Sequence, residues 1–432
     1  MKDTQIIIIG GGASGLMAAI TAGRILKEKA SRDPQSFENP KIPPIQILER
    51  MDRPGKKILA TGNGHCNFSN AYMSEECFHS DTPGLVRAVL QEFDSKKTVR
   101  FFEDLGIYVR NREGYLYPWS GQARSILDVL TMELKTLPVA VQTDCEITSL
   151  EKTSEGYLLK DQKGRSFVAR EVILACGGCA YPSLGSNGSG YQLVKDLGLH
   201  LVPVVPALTG LVTQQNFFKK VSGVRVEAEV TLSIQDGGKF DPVASDRGEV
   251  QFTDYGLSGI PIFQVSRFAA KVLQKGKKVR ISLDLLPSQN YGALSRFLRE
   301  RAHRLSERKT KDFLTGIFPY KLCQLLISLA GLDPEKTAGE FGTEELSRLL
   351  KVIKRLSADV QDTCGFEQAQ VCAGGLDGRE LTEHLESRKY KGFFAAGEIV
   401  DVDGICGGYN LQWAWSSGYT AGKYAALSLV AL

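Results

Sequence analysis

The first thirty residues contain two successive patterns of apolar positions. Residues 6–9 are all isoleucine, and three glycines follow at 10–12. A run that is apolar at every position is typical of a parallel strand buried on both faces. Residues 17–29 then place apolar side chains at helical spacing among good helix formers. The pattern therefore predicts a strand, a glycine turn and a helix.

The middle of the chain changes its periodicity once. Residues 191–289 alternate apolar and polar side chains between glycine turns, which predicts a β-rich part. Apolar positions recur at helical spacing from about residue 290, which predicts a helical part over 290–365. We expect both parts to form an insert between the segments 1–190 and 366–432.

Bulk composition narrows the class of protein. The 432 residues carry a formal net charge of +4 and a mean hydropathy of −0.13, ordinary values for a globular protein of two or three domains. That charge neither demands nor excludes an anionic ligand. No apolar run is long enough for a secretion signal or a membrane span, so we expect a cytoplasmic protein. The nine scattered cysteines form no disulfide framework, and one close pair without nearby histidines predicts no metal site.

The glycine turn has the spacing of a dinucleotide-binding loop. In Gly10-x-Gly12-x-x-Gly15 the first glycine permits the turn, the second lets backbone approach a pyrophosphate, and the third lets helix pack on strand. The phosphates would lie at the positive amino end of the helix. Glu49 closes the next apolar run and would bind the adenosine ribose hydroxyls. The alternative for Glu49 is a solvated carboxylate at a strand end.

A Cys-x-x-Cys pair, Cys176 and Cys179, follows another apolar run and precedes a loop rich in glycine. This arrangement fits a thiol redox centre, half of a metal site, or backbone that passes close to a cofactor. The choice depends on the far end of the chain.

Residues 391–418 resemble the second signature of FAD proteins that contain two dinucleotide-binding motifs, a strand that ends in Gly-Glu before a glycine loop and a helix. The resemblance implies that Glu398 hydrogen-bonds the ribityl chain. It also implies that the helix opening near residues 409–411 points N–H groups at the flavin, where reduction gathers negative charge. Residues 172–178 resemble an Ala-Thr-Gly-Gly strand of many FAD enzymes, with Cys176 in the threonine position. We therefore expect structural cysteines, with a redox-active pair as the alternative.

These resemblances predict an α/β fold. Residues 1–190 and 366–432 would form a Rossmann-like FAD domain of the type with two dinucleotide-binding motifs. The insert between them would contain a barrel-like β-rich part and a helical part.

Motifs along the whole chain resemble one bacterial family of FAD-dependent oxidoreductases, which includes aminoacetone oxidase and the 3-dehydro-bile acid dienone reductase. The matching stretches are 10–19, 56–70, 115–130, 175–191, 248–259 and 395–418. The fingerprint and the resemblance together imply FAD as cofactor. The implied cofactor-binding residues are Gly10, Gly12, Ala13, Ser14, Gly15, Glu49, Arg50, Lys57, Ile147, Ala175, Gly177, Gly397, Glu398, Gly408, Asn410 and Leu411.

The chain departs from that family at three places. His65 replaces an arginine, so a titratable side chain stands where a permanent cation would be. Residues 253–256 read Thr-Asp-Tyr-Gly in place of Thr-His-x-Gly, and Cys372 replaces a threonine. The candidates for an electrophile or proton donor are His65, Tyr117 and Tyr255, each of which could also be structural.

Three functions remain open at the level of sequence. The first is NAD(P)H-dependent reduction of a conjugated C=C bond in a hydrophobic enone such as a 3-dehydro-bile acid (steroid) dienone. The second is oxidation of a small amino-ketone such as aminoacetone by dioxygen, favoured by the presence of only one dinucleotide fingerprint. The third is a flavin-bearing binding or sensing protein that acts through the basic segment 296–311, which has seven Lys or Arg against two Glu. Because a solvated helix face is the ordinary explanation of such a segment, we expect a small-molecule substrate and neither a nucleic-acid nor a membrane partner.

Overall fold

A computed structural model describes residues 3–32 and 44–430 of the chain. The strands are β1 (Asp3–Ile9), β2 (Ile45–Leu48), β3 (Ser69–Asn70), β4 (Phe78–His79), β5 (Val109–Arg112), β6 (Tyr115–Pro118), β7 (Val139–Gln142), β8 (Ile147–Lys152), β9 (Tyr157–Asp161), β10 (Ser166–Leu174), β11 (Leu201–Ala207), β12 (Leu211–Thr213), β13 (Arg225–Asp236), β14 (Lys239–Phe252), β15 (Gly256–Ser258), β16 (Val279–Asp284), β17 (Leu356–Thr363), β18 (Val371–Leu376), β19 (Phe393–Ala395) and β20 (Asp403–Gly404). The α-helices are α1 (Ala13–Arg32), α2 (Lys56–Ala60), α3 (Pro83–Glu92), α4 (Ser95–Asp104), α5 (Ala123–Leu134), α6 (Ser189–Asp196), α7 (Ile260–Leu273), α8 (Tyr291–Arg304), α9 (Tyr320–Leu329), α10 (Thr343–Lys354), α11 (Gly365–Gln368) and α12 (Tyr409–Val430).

The chain divides into two compact units. The first, which we call the nucleotide unit, contains Met1–Val204 and Val371–Leu432, and the second, the barrel unit, contains Val205–Gln370. Both ends of the chain therefore belong to one folded body. The finer boundaries given above for the β-rich and helical parts stay a prediction.

The nucleotide unit is built on a sheet in the order β7-β2-β1-β10-β9-β8, with β19 also paired to β10. β1 pairs in parallel with β2 and β10, and its four isoleucines are buried on both faces. Because β1, β2, β10 and β19 are all parallel, their carboxyl ends meet at one edge of the sheet. The residues that leave this edge are Gly10, Glu49, Ala175 and Ala396, and crevices at such edges are where α/β sheets bind ligands.

Two long helices of the nucleotide unit pack backbone to backbone. A Cβ atom on Gly418 of α12 would collide with the carbonyl oxygen of Ser14 in α1, and one on Gly422 with that of Ala18. α12 also buries Trp413 and Trp415, whose indole N–H groups donate to Gly397 O at 3.0 Å and Phe68 O at 2.9 Å. The small residues let α12 lie close to α1, and the tryptophans fix the carboxyl-terminal segment to the rest of the unit.

The barrel unit contains a closed antiparallel barrel in the order β12-β15-β14-β13-β16-β17. The hairpin of β13 and β14 turns at Gly237 and Gly238, both with positive φ. Side chains of α8, α9 and α10 join the barrel interior in one buried apolar cluster. The predicted Rossmann-like domain with a barrel-like and helical insert is thereby confirmed. No helix in the described ranges is both long and apolar enough to cross a bilayer.

Candidate functional site

The glycine loop after β1 leaves room at one position only. Gly10 has φ +104°, and a Cβ atom there would lie 2.6 Å from Ala175 O at the end of β10. A Cβ on Gly15 would collide with the carbonyl oxygen of Gly10. At Gly12, by contrast, no atom of the described chain lies within 4 Å of such a Cβ. The loop is therefore closed against the sheet at Gly10 and Gly15 and open at Gly12, beside the amino end of the 20-residue helix α1. This opening has the position and the N–H groups that a pyrophosphate needs.

Glu49 lies at the same edge of the sheet. Its carboxylate accepts hydrogen bonds from the N–H groups of Gly11 at 2.7 Å and Met51 at 2.8 Å, and only 8% of the residue is exposed. Burial is the main influence on this carboxyl and raises its pKa. The neighbouring Arg50 donates to Gly185 O at 3.2 Å and lies 3.5 Å from Glu146. A carboxylate fixed beside the glycine loop is the arrangement expected for a ribose-binding glutamate, so the solvated alternative for Glu49 is the poorer description.

Lys57, Glu398 and Cys372 form a second group of contacts. Lys57 Nζ lies 2.8 Å from Glu398 Oε2, while Glu398 Oε1 accepts a 2.7 Å hydrogen bond from the Cys372 N–H. The Glu398 side chain is 18% exposed and that of Lys57 26%. Each predicted residue of this pair thus holds the other in place. Glu398 retains free lone pairs with which a ribityl hydroxyl could bond.

The amino end of α12 is shaped by a reciprocal contact. Asn410 accepts a hydrogen bond from the Gly404 N–H and donates one to the Gly404 carbonyl, both at 2.8 Å. A Cβ on Gly408 would lie 2.9 Å from Asn67 Oδ1, a buried oxygen that has no hydrogen-bond partner within the described ranges. The Asn410 amide is occupied by the loop, so its role here is to fix the start of the helix. Leu411 follows it in the first turn.

These features test whether the residues fit FAD. All sixteen predicted cofactor residues belong to the nucleotide unit, including those not yet placed, Ala13, Ser14, Gly177, Ile147 and Gly397. Ser14 Oγ donates to Ala396 O at 3.4 Å, and Gly397 lies so close to Ser14 that a Cβ would collide with its hydroxyl. The open cradle at Gly12 and the unpartnered Asn67 oxygen beside α12 are both features that a bound dinucleotide would explain. The residues present therefore fit the cofactor.

Two of the three catalytic candidates lie on segments that meet. β3, which follows His65, pairs with β6, which carries Tyr117, and the Phe68 N–H donates to Leu116 O at 3.0 Å. His65 is exposed, with Nδ1 2.7 Å from Gly121 O. Tyr117 is half-buried, and burial is the main cause that raises the pKa of its phenol. In the described ranges no hydrogen bond joins the two side chains.

The third candidate, Tyr255, belongs to the barrel unit and is described there alone. Burial raises the pKa of its phenol, with hydrogen bonds to Ser258, Thr253 and Cys364 among the further influences. A Cβ on Gly210 would lie 3.0 Å from the Tyr255 hydroxyl and 2.9 Å from Cys364 Sγ. Tyr255 is thus held in a local polar cluster of its own unit.

Sequence reasoning missed one contact among the cysteines. Cys179 Sγ lies 3.6 Å from Cys372 Sγ, and the Cys179 N–H points at the same sulfur from 3.2 Å. Cys176, the other member of the Cys-x-x-Cys pair, packs instead against Gly190. The signal available was the cysteine at 372 where the resembling family has threonine. Nothing in the spacing showed that position 372 would meet position 179.

The chain is similar to known proteins along nearly its whole length. The family model described as HI0933-like protein Rossmann domain matches residues 4–424. The chain is 42% identical to the 3-dehydro-bile acid delta(4,6)-reductase of Clostridium scindens, over 98% of this chain and 99% of that protein. It is 28% identical to the ribosomal RNA dihydrouridine synthase of Escherichia coli, over 98% of each. Among solved structures, a 3-ketosteroid-delta4-(5alpha)-dehydrogenase from Rhodococcus jostii RHA1 matches with 16% identity and a TM-score of 0.45, over 98% of this chain and 97% of that one.

The fold and the site define the class: the protein is an FAD-dependent oxidoreductase built on a Rossmann-type domain. Within that class the chain belongs to the HI0933-like family, whose model covers nearly its whole length.

Proposed function

We propose that this protein reduces a C=C bond conjugated with a carbonyl group, in a hydrophobic enone such as a 3-dehydro-bile acid dienone. The observation that carries the proposal is the 42% identity, over 98% of the chain, with a reductase of that name from Clostridium scindens. Identity of this extent, over 98% of this chain and 99% of the relative, makes a shared reaction the simplest account.

The nucleotide unit supplies the residues that would hold the cofactor. FAD, when bound, exchanges a hydride with an activated carbon. The backbone around Gly12 would receive the pyrophosphate, Glu49 the ribose and Glu398 the ribityl chain, with Arg50 and Lys57 fixing the neighbouring loops. The helix dipole of α12 would face the part of the flavin where negative charge gathers.

Tyr117 is the favoured proton donor for the carbon next to the one that accepts hydride. A tyrosine phenol is protonated at neutral pH, so a proton is present to be given, and burial, which raises the pKa of Tyr117, leaves this unchanged. His65 places Nδ1 on the Gly121 carbonyl, which requires the proton at Nδ1 and leaves Nε2 of a neutral ring as an acceptor. Through Nε2, His65 would accept a hydrogen bond from a substrate hydroxyl or from a water molecule bound to the substrate carbonyl. This contact would orient the substrate. Tyr255, in the barrel unit, stays a catalytic candidate from the sequence.

The electron donor in this proposal is NADH or NADPH. The sequence contains one dinucleotide fingerprint, which the FAD would occupy, so the nicotinamide would dock transiently at the flavin.

The test of the proposed function is anaerobic. NADH or NADPH should bleach the flavin absorbance, and a 3-dehydro-bile acid dienone should restore it with a product two hydrogens heavier. If neither nicotinamide bleaches the flavin while aminoacetone does so and yields peroxide in air, the protein is an amino-ketone oxidase instead.

A second candidate is saturation of uracil in RNA. It is favoured by the 28% identity, over 98% of each chain, with a ribosomal RNA dihydrouridine synthase, and Arg296, Arg299 and Arg304 are exposed on α8. The uracil ring also presents a C=C bond conjugated with a carbonyl. The two candidate functions are distinguished by incubating the reduced holoprotein with ribosomal RNA that lacks dihydrouridine. Only saturation of uracil predicts an RNA fragment that is two hydrogens heavier.

A further inference from the structure

Two thiols approach each other inside the nucleotide unit. Cys179 stands in the loop after β10 and Cys372 in β18, 193 positions later, yet their sulfurs are 3.6 Å apart. A disulfide requires about 2.0 Å between sulfurs and about 4 Å between Cβ atoms. Free sulfurs at 3.6 Å are in van der Waals contact, the approach from which a disulfide can form. None of the cofactor or catalytic assignments above uses either thiol.

Polar groups surround this pair. A Cβ on Gly178 would lie 3.0 Å from Cys372 Sγ, 3.1 Å from Glu398 Oε1 and 2.9 Å from the Tyr191 hydroxyl. The Tyr191 hydroxyl is buried and has no hydrogen-bond partner in the described part of the chain. The Cys372 N–H donates to Glu398, which pairs with Lys57. The thiols thus lie beside the carboxylate that we assign to the ribityl chain.

The two thiols are unequal in a way that suits exchange chemistry. Cys179 is half-buried, whereas Cys372 is 1% exposed. The hydrogen bond from Cys372 is the largest influence on Cys179 and lowers its pKa, whereas the pKa of Cys372 is raised. The more accessible sulfur is therefore also the better source of thiolate.

We propose that Cys179 and Cys372 form a reversible dithiol–disulfide centre in the nucleotide unit. A small-molecule disulfide RSSR is the oxidant. The Cys179 thiolate attacks one of its sulfurs, which breaks the S–S bond and releases one RS⁻. The sulfur of Cys372 then attacks the sulfur of Cys179 in the mixed disulfide and releases the second RS⁻. The two RS⁻ groups take up the two thiol protons, so one RSSR and two protein thiols give one protein disulfide and two RSH.

The proposed pair, Cys179 and Cys372, differs from the pair of the Cys-x-x-Cys motif, Cys176 and Cys179. Cys176 is half-buried, its Sγ lies where a Cβ of Gly190 in α6 would be, and burial raises its pKa to about 12. Exchange through Cys176 and Cys179 would need Cys176 Sγ to leave its place against Gly190, whereas Cys372 Sγ already lies 3.6 Å from Cys179 Sγ. The inference concerns the thiols alone and does not depend on which substrate the enzyme reduces.

The test uses the purified full-length holoprotein and oxidised glutathione as the probe. After this treatment we expect two of the nine thiols to be unavailable for alkylation. Dithiothreitol should make both available again. Trypsin should then join the peptide 171–195, which contains Cys176 and Cys179, to the peptide 356–379, which contains Cys364 and Cys372. A disulfide between Cys176 and Cys179 would close within the first peptide and join nothing.

Single substitutions separate the possible partners. Cys372→Ser and Cys372→Thr should each abolish the joined peptides, whereas Cys176→Ser and Cys364→Ser should leave them unchanged. Joined peptides that survive both changes at 372 but vanish in Cys364→Ser would overturn the proposal, as would an internal Cys176–Cys179 bridge. The proposal is also overturned if all nine thiols of the wild-type holoprotein can still be alkylated after treatment with oxidised glutathione.

Discussion

Lys57 Nζ lies 2.8 Å from Glu398 Oε2, which joins two residues 341 positions apart. One stands in the first turn of the short helix α2 and the other directly after β19. The contact is therefore one of the points at which the two ends of the chain assemble one site. Removing the cation would leave a largely buried carboxylate with the Cys372 N–H as its only hydrogen-bond partner among the residues of 3–32 and 44–430.

We expect Lys57→Met to lower the free energy of unfolding by about 1–3 kcal/mol, because a charged hydrogen bond to a largely buried group is lost. FAD should also dissociate more readily, which is measured by flavin fluorescence on dilution. The matched control is Lys56→Met, since Lys56 pairs with the exposed Asp52 and solvent screens such a pair. Equal losses in the two variants would show that the Lys57–Glu398 contact has no special role.

Alanine at two glycines of the same loop should give opposite results. Gly12→Ala places its methyl group in open space, so the apoprotein should keep its melting temperature while FAD binding weakens at least tenfold. Gly10→Ala meets Ala175 O at 2.6 Å at a positive φ, so the apoprotein itself should be destabilised. Calorimetry of the apoproteins and FAD titration check both. Unimpaired FAD binding by Gly12→Ala would place the pyrophosphate elsewhere.

Tyr117→Phe should keep its flavin and lower the rate of dienone reduction by about 10²-fold, the usual range for loss of a general acid. The rate at which NADH or NADPH bleaches the flavin should be unchanged, because that step needs no proton from the phenol. Tyr108→Phe, at a tyrosine that is 71% exposed, serves as the control. If Tyr117→Phe slows only flavin bleaching, the phenol acts on nicotinamide docking and not on proton transfer.

Glu171 makes stability depend on pH. Burial raises the pKa of its carboxyl from 4.5 to about 7. Between those values the native protein keeps a proton that the unfolded chain has released, so stability is full below pH 4.5 and falls as the pH rises to 7. Glu171→Gln, which is neutral throughout, should therefore become more stable than wild type by about 2–3 kcal/mol at pH 8 relative to pH 5. Urea unfolding at both pH values measures this difference. Glu151→Gln, at an exposed carboxylate of β8, should show no such change.

The sequence predicted best those parts of the fold that follow one local physical rule. Four consecutive isoleucines predicted β1, and the glycine spacing predicted the turn at Gly10 and the open backbone at Gly12, because these depend on local sterics alone. The position of Glu398 after a short strand came from a resemblance, and the structure places it against Lys57. That contact depends on how α2 meets the end of β19, which no local pattern encodes.

The cysteines show where sequence reasoning stops. Spacing singled out Cys176 and Cys179 because they are three positions apart, whereas the tertiary fold brings the loop after β10, with Cys179, to Cys372 in β18 across 193 positions. Similarly, pairing of β3 with β6 brings the segments of His65 and Tyr117 together, and both strands are too short to be predicted from alternation. Long-range register determines these neighbours.

The most direct test of the proposed reaction is an anaerobic half-reaction. The holoprotein is first reduced with one equivalent of NADH or NADPH, and one equivalent of a 3-dehydro-bile acid dienone is then added while flavin absorbance and product mass are followed. We expect full return of the oxidised flavin spectrum and a steroid two hydrogens heavier. A flavin that stays reduced beside unchanged dienone, but is reoxidised at once by air, would contradict it.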